Sequence, residues 1–204
     1  HPAVMLTWQE AVDFCQKLSS KESLDLAYEK INGEYQLIQP FTNGYRLLTE
    51  AEWEWVARFN GGADKQRYPW GDSMPVEPDS GNFADESAEE IITNFLTDYW
   101  DGYPVTSPAG KFSPSPLGIY DLGGNVAEWV NDIYKIYQTN TKQVVLDPLG
   151  PGIEAGNDRV IRGSSWRHSS ISSLRFTYRD YGTPARLDVG FRIARYTDNS
   201  NIDE

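Results

Sequence analysis

The middle of the chain, residues 61–158, restricts the fold more than any other part of the sequence. From Gly61 to Pro151 the apolar residues hold neither the 3.6-residue period of a helix nor the 2-residue period of a strand for long, and Pro, Gly, Asn and Asp recur every few positions. Backbone N–H and C=O groups outside helices and sheets must be satisfied by turns, side chains or bound ions. We therefore expect irregular backbone here, and neither a helical bundle nor a regular parallel sheet.

Aromatic residues are abundant enough to hold such a backbone together. The 204-residue chain contains 7 Trp, 12 Tyr and 8 Phe, whereas disordered chains are poor in aromatics. A chain of this length can bury a sizeable core, and it shows no internal repeat or low-complexity linker, so we expect residues 1–204 to form one domain. Trp53, Trp70, Trp129 and Trp166 are expected in the core, each with an indole N–H that can reach a loop carbonyl.

Two helices are predicted near the N-terminus. A Thr followed three residues later by a Glu, at the start of a helical run of apolar residues, is typical of a helix N-terminus. This pattern predicts helices over Thr7–Leu18 and over Thr49–Phe59, the second ended by the glycines at 61–62. Cys15, the only cysteine, lies on the apolar stripe of the first helix and is interpreted as a buried, packed thiol.

The remaining elements carry weaker signals. Residues Ser19–Asn43 are interpreted as a polar connector, and a short helical segment is expected over Gly124–Asn131. Strand-like runs occur at Arg159–Arg162 and Val189–Ala194, on either side of a Ser-rich segment.

The charge of the chain limits its partners. The net charge is −12, from 30 acidic and 18 basic residues, and such a field repels phosphate backbones. We expect no nucleic-acid partner; the excess charge either favours cations or only keeps the surface soluble. No apolar run approaches the ~20 residues of a membrane helix, so no membrane span is expected, and the N-terminus lacks the pattern of a signal peptide.

Several blocks in the same order resemble the sulfatase-modifying-factor domain, the family of formylglycine-generating enzyme. The resemblance implies an α+β fold of the variant C-type-lectin-like kind, with two N-terminal helices and little regular sheet. The family domain begins before the His-Pro-x-Val block on which this chain opens, so we expect the family's N-terminal portion to be missing or supplied separately. The matching blocks are His1–Val4, Gly44–Glu54, Tyr68–Asp72, Gly81–Asp85, Pro116–Trp129 with its Gly-Asn-Val-x-Glu-Trp core, Arg162–Trp166 and Gly190–Arg192.

The resemblance also implies where the family's chemistry is carried. Its enzymes oxidise a substrate cysteine with two cysteines and a copper ion, and the matching positions here hold His168 and Ser173. Cu(I) is a soft ion that needs thiolate ligands, and a serine hydroxyl cannot replace one. We therefore expect no copper and no formylglycine-generating activity. The disulfide that some relatives form from the position of Cys15 is also excluded, because its partner position holds Ile193.

Two calcium sites are implied by matches to family positions. Hard cations prefer carboxylate, amide and carbonyl oxygens held by tight turns. One set keeps both of its carboxylates and is the stronger match; the alternative for these two is turn capping or ion pairing. This set comprises Asp121, Gly124, Val126 and Glu128. The other set comprises Asn82, Phe83, Asp101 and Tyr103, with Phe83 and Tyr103 contributing backbone oxygens.

Two further features leave alternatives open. His168 lies among six serines, which suggests nucleophilic catalysis if one Ser meets the His in the right geometry; otherwise it is a surface or hydrogen-bonded histidine. Eight arginines also cluster in the last quarter of the chain, either as an anion-binding or acidic-partner surface or as internal partners of carboxylates, and we favour internal pairing. They are Arg159, Arg162, Arg167, Arg175, Arg179, Arg186, Arg192 and Arg195.

These observations lead to three functional hypotheses. The first is a non-catalytic binding or scaffold domain with a protein partner or larger assembly, exported to the periplasm or cell envelope. The second is an oxidoreductase of the same family that uses other residues in the groove near His168. The third is a lectin-like ligand-display domain, which an exposed aromatic surface over Trp166–Tyr181 would favour.

Overall fold

Both predicted helices are present. The structure, a computed structural model, describes residues 1–59, 65–136 and 144–197. Helix α1 spans Trp8–Lys21 and ends three residues later than predicted, and helix α2 spans Glu50–Phe59. Each begins with the predicted capping box: the Glu10 N–H donates to the Thr7 hydroxyl at 3.2 Å, and the Glu10 carboxylate accepts the Thr7 N–H at 2.8 Å. The predicted stop at residues 61–62 lies outside the described residues.

The polar connector predicted at Ser19–Asn43 contains a β-hairpin. Strands β1 (Tyr28–Ile31) and β2 (Glu34–Leu37) pair antiparallel around a two-residue turn. The turn residues Asn32 and Gly33 have φ angles of 54° and 89°, the left-handed conformation that an Asn-Gly hairpin turn requires. The exposed strand residues hide the hairpin from a search for apolar patterns, but the Asn-Gly pair is a signal that could have revealed it.

The short helix predicted over Gly124–Asn131 is wrong. This part of the chain holds strand β4 (Ala127–Ile133), and all seven of its residues are buried. Gly124 and Asn125 have φ angles of 86° and 61°, which a right-handed helix cannot accommodate. A strand covered on both faces shows a continuous apolar run instead of alternation, so the sequence pattern did not separate it from a helix.

The remaining strands form two further sheets, one of which contains β4. These strands are β3 Arg46–Leu47, β5 Arg159–Arg162, β6 Arg179–Gly182, β7 Val189–Phe191 and β8 Ile193–Ala194. In the larger one, with order β6-β5-β4-β7, β4 runs parallel to β7 and antiparallel to β5. The strands predicted at Arg159–Arg162 and Val189–Ala194 are confirmed, the second divided between two sheets, since β8 pairs with β3 instead.

The rest of the middle is irregular, as predicted. Apart from β4, the described residues between 65 and 158 form only two single-turn 3₁₀ helices, Glu86–Ala88 and Ile153–Ala155. The α+β class with two helices and small sheets is therefore confirmed. Among the described residues, no helix combines the length and the apolar character needed to cross a bilayer.

Tryptophans occupy the core as expected, with one partial exception. Trp53, Trp129 and Trp166 are buried, whereas Trp70 is only partly buried and stacks on Tyr68 with ring centroids 5.0 Å apart. One cluster joins α1 to β3, β4, β5 and β7, and a second joins α2 to β4 and β5. This packing fixes both ends of the loop that follows β5, which carries His168.

Candidate functional site

His168 and Ser173, the positions matched to the family's cysteine pair, lie in one open groove of about 530 Å³. We call it the His168 groove; its walls are residues 91–94 on one side and residues 167–170, Ser173 and Tyr178 on the other. A hydrogen bond joins the two walls, from the Ser169 hydroxyl to the Asn94 carbonyl at 2.8 Å. Ala84, outside the groove, donates its N–H to the His168 carbonyl at 3.1 Å.

The imidazole of His168 is held from behind by its own loop. Its Nδ1 accepts the backbone N–H of Ser165 at 3.0 Å, and the His168 N–H donates to the Ser165 carbonyl at 3.0 Å. Because Nδ1 is an acceptor, the neutral ring carries its proton on Nε2. Burial lowers the pKa of His168 below its usual value, although the nearby Asp188 carboxylate opposes the shift. The ring is therefore an uncharged N–H donor at neutral pH.

A charged network behind this loop was not foreseen from the sequence. The Ser165 hydroxyl donates to Asp188 at 3.1 Å, and the Arg186 guanidinium binds Asp188 through Nη2 at 2.9 Å and Asp180 through Nη1 at 2.6 Å. Burial raises the pKa of Asp188, but hydrogen bonds and charge from Arg186 outweigh it and hold that pKa below its usual range. These contacts join β6 to the segment before β7, and no local sequence pattern marks such distant partners.

The serines of the site are not arranged for nucleophilic catalysis. Ser165 is the serine next to His168, but its side chain is fully buried and its hydroxyl hydrogen is directed to Asp188. Ser170 and Ser173 instead bond to each other, with their hydroxyl oxygens 2.7 Å apart. A nucleophile must be reachable by a substrate and activated by a base, and no described serine meets both conditions in this groove. Of the two roles that the sequence left open for His168, the structure supports a hydrogen-bonded histidine and not a catalytic one.

The groove does not fit a copper ion held by thiolates. The chain's only thiol, Cys15, is fully buried in the core cluster of α1, and burial raises its pKa to about 12. A buried, protonated thiol is a packed apolar group, as the sequence predicted. The one borderline ligand in the groove is His168, and Ser173 offers only a hard hydroxyl.

The Asn82 set has an oxygen that suits a cation. Among the described residues, no hydrogen-bond donor reaches the Oδ1 atom of Asn82, although the residue is fully buried. Asp101 lies beside it, accepting the N–H groups of Phe83 at 2.9 Å and Tyr103 at 2.7 Å. Burial and the charge of Asp85 raise the pKa of Asp101 to about 7. An unsatisfied buried amide oxygen next to a carboxylate matches the ligand chemistry of Ca²⁺.

In the Asp121 set, the guanidinium of Arg192 already binds two of the candidate calcium ligands. The Glu128 carboxylate accepts the Trp53 indole N–H at 2.7 Å and both prongs of Arg192, and Arg192 Nη2 also donates to the Asp121 carbonyl at 3.1 Å. The Asp121 side chain accepts the Gly110 N–H at 2.8 Å. A calcium ion here would share its ligands with a guanidinium. The contacts thus favour the Asn82 set, the reverse of the ranking drawn from the sequence.

Neither set relies on a cluster of ionisable side chains. Among the described residues, no three His, Cys, Asp or Glu side chains lie together so that they could hold a metal ion. Both sets would therefore need other oxygen ligands as well, and the family resemblance implies backbone oxygens of Phe83 and Tyr103 for the Asn82 set.

Internal pairing accounts for half of the clustered arginines. Arg162 is fully buried and pairs with Glu54 at 2.9 Å and Glu50 at 3.3 Å; Arg179 and Arg186 also pair within the domain. Arg192 completes this group through Glu128. By contrast, no carboxylate of the described residues forms an ion pair with the remaining four, namely Arg159, Arg167, Arg175 and Arg195.

Comparisons with known proteins agree with this architecture. The chain is 32% identical over 206 residues to a formylglycine-generating enzyme of Thermomonospora curvata, which covers 95% of the chain and 55% of that protein. It is 35% identical over 162 residues to the inactive C-alpha-formylglycine-generating enzyme 2 of Mus musculus, covering 74% of the chain and 43% of that protein. The chain spans about half the length of the curated relatives it matches.

Solved structures share the fold. Treponema denticola variable protein 1 superimposes with a TM-score of 0.73 and 26% identity, covering 95% of this chain and 70% of that one. PvdO from Pseudomonas aeruginosa gives a TM-score of 0.66 and 26% identity over 97% of this chain and 62% of that one. A sequence model of the sulfatase-modifying factor enzyme 1-like domain matches residues 1–197. The chain therefore belongs to the family of the sulfatase-modifying factor enzyme 1-like domain.

Proposed function

We propose that this domain is a non-catalytic member of its family that binds a ligand or protein partner through the His168 groove. The proposal rests on the side chains that line the groove, which include the two matched positions, His168 and Ser173, but no thiol. The resemblance to the family places its copper-binding cysteines at these two positions, which here hold an imidazole and a hydroxyl. A concave, polar surface on a rigid loop is suited to binding.

Cys15 does not replace the missing pair. It lies in α1 within the core formed by residues such as Trp8 and Trp129, and it is not among the groove residues. Its thiolate is disfavoured by burial, so reaching a ligand would require α1 to leave the core.

The relatives' names support both sides of the question. Three curated proteins that match 95% of the chain are named formylglycine-generating enzyme, which favours the alternative of an oxidoreductase that uses other groove residues. The mouse relative named inactive favours a binding role. Among the groove residues, the imidazole of His168 is the side chain that could act as a general base. Its Nδ1 already accepts the Ser165 N–H, so the neutral ring can only donate a hydrogen bond to a ligand. We therefore prefer the binding role.

The ligand-display hypothesis receives less support. It calls for an exposed aromatic surface over Trp166–Tyr181, but Trp166 and Phe176 are 8% and 3% exposed, and Tyr178 is only partly exposed. Among Trp, Tyr and Phe of this range, Tyr181 alone is mostly open to solvent, at 49%.

Calcium at the Asn82 set is a second part of the proposal. A bound Ca²⁺ would satisfy the unpartnered Asn82 amide oxygen and would keep Asp101 ionised in spite of its burial. In an irregular segment, such an ion would stabilise the folded state by binding only to it.

Mass spectrometry tests the absence of catalysis. The full chain is incubated in air, whose dioxygen is the oxidant, with Cu(I), a mild reductant and a cysteine-containing sulfatase-type peptide, alongside the Thermomonospora curvata enzyme as a positive control. We expect the peptide to keep its thiol mass with this domain. Conversion of the cysteine to the aldehyde by this domain would overturn the proposal and favour the oxidoreductase alternative.

A further inference from the structure

The His168 groove differs in charge from the rest of the molecule. The chain carries 30 acidic residues and a net charge of −12, yet no Asp or Glu lines the groove. The charged residue in its lining is Arg167, whose side chain is exposed. Asp188 and Asp180, the carboxylates whose charges act on His168 and Tyr178, both bind the Arg186 guanidinium, and Asp188 lies behind Ser165. The groove is thus locally suited to a ligand of the opposite sign from that favoured by the overall field.

Arg167 is available for a ligand. Six arginines of the described chain form ion pairs, whereas none of the described carboxylates lies within ion-pair distance of Arg167. Its guanidinium lies over the ring of Trp166, with its central carbon 5.6 Å from the ring centroid. A guanidinium presents paired N–H donors that match the geometry of a carboxylate or sulfate.

Two neutral donors face the groove beside Arg167. Because Nδ1 of His168 is bonded to the Ser165 N–H, the N–H at Nε2 on the opposite edge of the ring is left for a ligand. The ring of Tyr178 packs against His168, with centroids 5.6 Å apart at 72°. No described group accepts a hydrogen bond from the Tyr178 hydroxyl.

The groove serines are less available as donors. The Ser169 hydroxyl donates to the Asn94 carbonyl at 2.8 Å, and the Ser173 hydroxyl donates to the Ser170 carbonyl at 3.0 Å. Ser170 can then give its own hydrogen to the Ser173 oxygen, 2.7 Å away. These bonds organise the wall formed by residues 167–178 and leave Arg167, His168 and Tyr178 as its open donors, with the exposed side chains of Thr93 and Asn94 on the opposite wall.

We infer that the His168 groove binds an oxyanion group, a carboxylate or a sulfate, between the Arg167 guanidinium, the Nε2–H of His168 and the hydroxyl of Tyr178. This inference rests on the proposed function and names the ligand chemistry of the same groove. It requires no reaction and no metal.

Nuclear magnetic resonance of the histidine side chains tests the inference directly. The chain has only two histidines, His1 and His168, so the two imidazole spectra are easily separated. The full chain is titrated with acetate and, separately, with sulfate, at constant ionic strength set with chloride. We expect saturable shifts of the His168 resonances. A tighter response to acetate identifies a carboxylate ligand, and a tighter response to sulfate identifies a tetrahedral one.

Two arginine variants separate a built site from general charge. Arg167→Ala is expected to raise the dissociation constant of the anion about tenfold, the effect of losing one charge-assisted hydrogen bond. Arg175→Ala removes another exposed, unpaired arginine that does not line the groove, and is expected to leave the dissociation constant unchanged. Melting temperatures confirm that each variant folds, and Arg167→Gln serves as a second variant.

The inference is overturned if the His168 shifts stay linear with anion concentration, or if Arg175→Ala weakens binding as much as Arg167→Ala. Neither outcome depends on copper or a peptide. Failure of the proposed function would instead appear as aldehyde formation in the mass-spectrometric assay, so the two failures are distinguishable.

Discussion

The guanidinium of Arg192 grips the carboxylate of Glu128 with two hydrogen bonds, Nε to Oε2 at 2.7 Å and Nη2 to Oε1 at 2.5 Å. Glu128 lies on the buried strand β4, and Trp53 of α2 donates its indole N–H to the same carboxylate. Arg192 also donates to the carbonyls of Tyr120 and Asp121, each at 3.1 Å. The pair therefore ties the irregular loop before β4 to α2 and to the C-terminal strands.

Replacing Arg192 by Met should strongly destabilise the domain. The change leaves the Glu128 carboxylate, which is only 6% exposed, without its cation, and removing one member of a buried pair costs about 3 kcal/mol. The free energy of unfolding is measured in urea. Arg195→Met is the control, because Arg195 is exposed and is paired with no described carboxylate. Equal losses in both variants would show that the pair is not responsible.

Asp132 gives the domain a pH-dependent stability. It lies on β4, is 2% exposed, and accepts the N–H of Glu50, the first residue of α2, at 2.7 Å. Burial raises the pKa of Asp132 to about 7; the hydrogen bond from the Glu50 N–H and the charge of Arg179 oppose this shift, whereas the carboxylate charges of Glu50 and Glu52 add to it. In the unfolded chain the pKa is about 3.9. Between these values the folded state holds a proton that the unfolded state releases, so this contribution to stability is lost as pH rises from about 4 to 7.

Asp132→Asn should remove that dependence, because the amide oxygen can accept the Glu50 N–H without a charge. Relative to the wild type, the free energy of unfolding of this variant is expected to rise by at most about 1.4 kcal/mol per pH unit between about pH 4 and 7, then level off. Urea unfolding at a series of pH values measures it. The exposed Asp147→Asn serves as the control. A constant difference between Asp132→Asn and wild type across this range would contradict the assigned titration.

Calcium removal should lower the melting temperature. If Ca²⁺ binds the Asn82 set, a concentration 100 times the dissociation constant stabilises the fold by about 2.7 kcal/mol. Asn82→Ala should abolish the difference between calcium-loaded and chelated protein, because it removes the unpartnered ligand oxygen. Differential scanning calorimetry, with Mg²⁺ as the ionic control, measures the effect.

Asp121→Asn distinguishes the two calcium sets. It should keep the full calcium response if the Asn82 set holds the ion. Loss of the response in Asp121→Asn but not in Asn82→Ala would assign the ion to the Asp121 loop in spite of Arg192. If a calcium chelator leaves the melting temperature of the wild type unchanged, the calcium proposal is wrong.

The sequence was most informative where the determinants of structure are local. The capping boxes at Thr7 and Thr49 predict both helices because cap and apolar stripe lie within one or two turns. Strand β4 was missed because its complete burial depends on β5 and β7, which lie far along the chain. The same limit applies to the site: matched positions located His168, but its restraint by Ser165 and Asp188 follows from packing between distant segments.

Restoring two thiols should restore copper binding in the groove. His168 and Ser173 line the same groove at the positions of the family's cysteine pair, so the double variant His168→Cys, Ser173→Cys would present two soft ligands on a wall already fixed by the core residues Leu174 and Phe176. We expect this variant to bind one Cu(I) tightly in competition with a Cu(I) chelator, and the wild type to bind none.

The wild type controls for unspecific thiol binding because it retains Cys15, and each single variant controls for one thiolate. Tight Cu(I) binding by the wild type would contradict the non-catalytic role, since it would require ligands other than the matched pair. Failure of a folded double variant to bind Cu(I) would show instead that the loop no longer holds the two positions close enough for two-thiolate coordination.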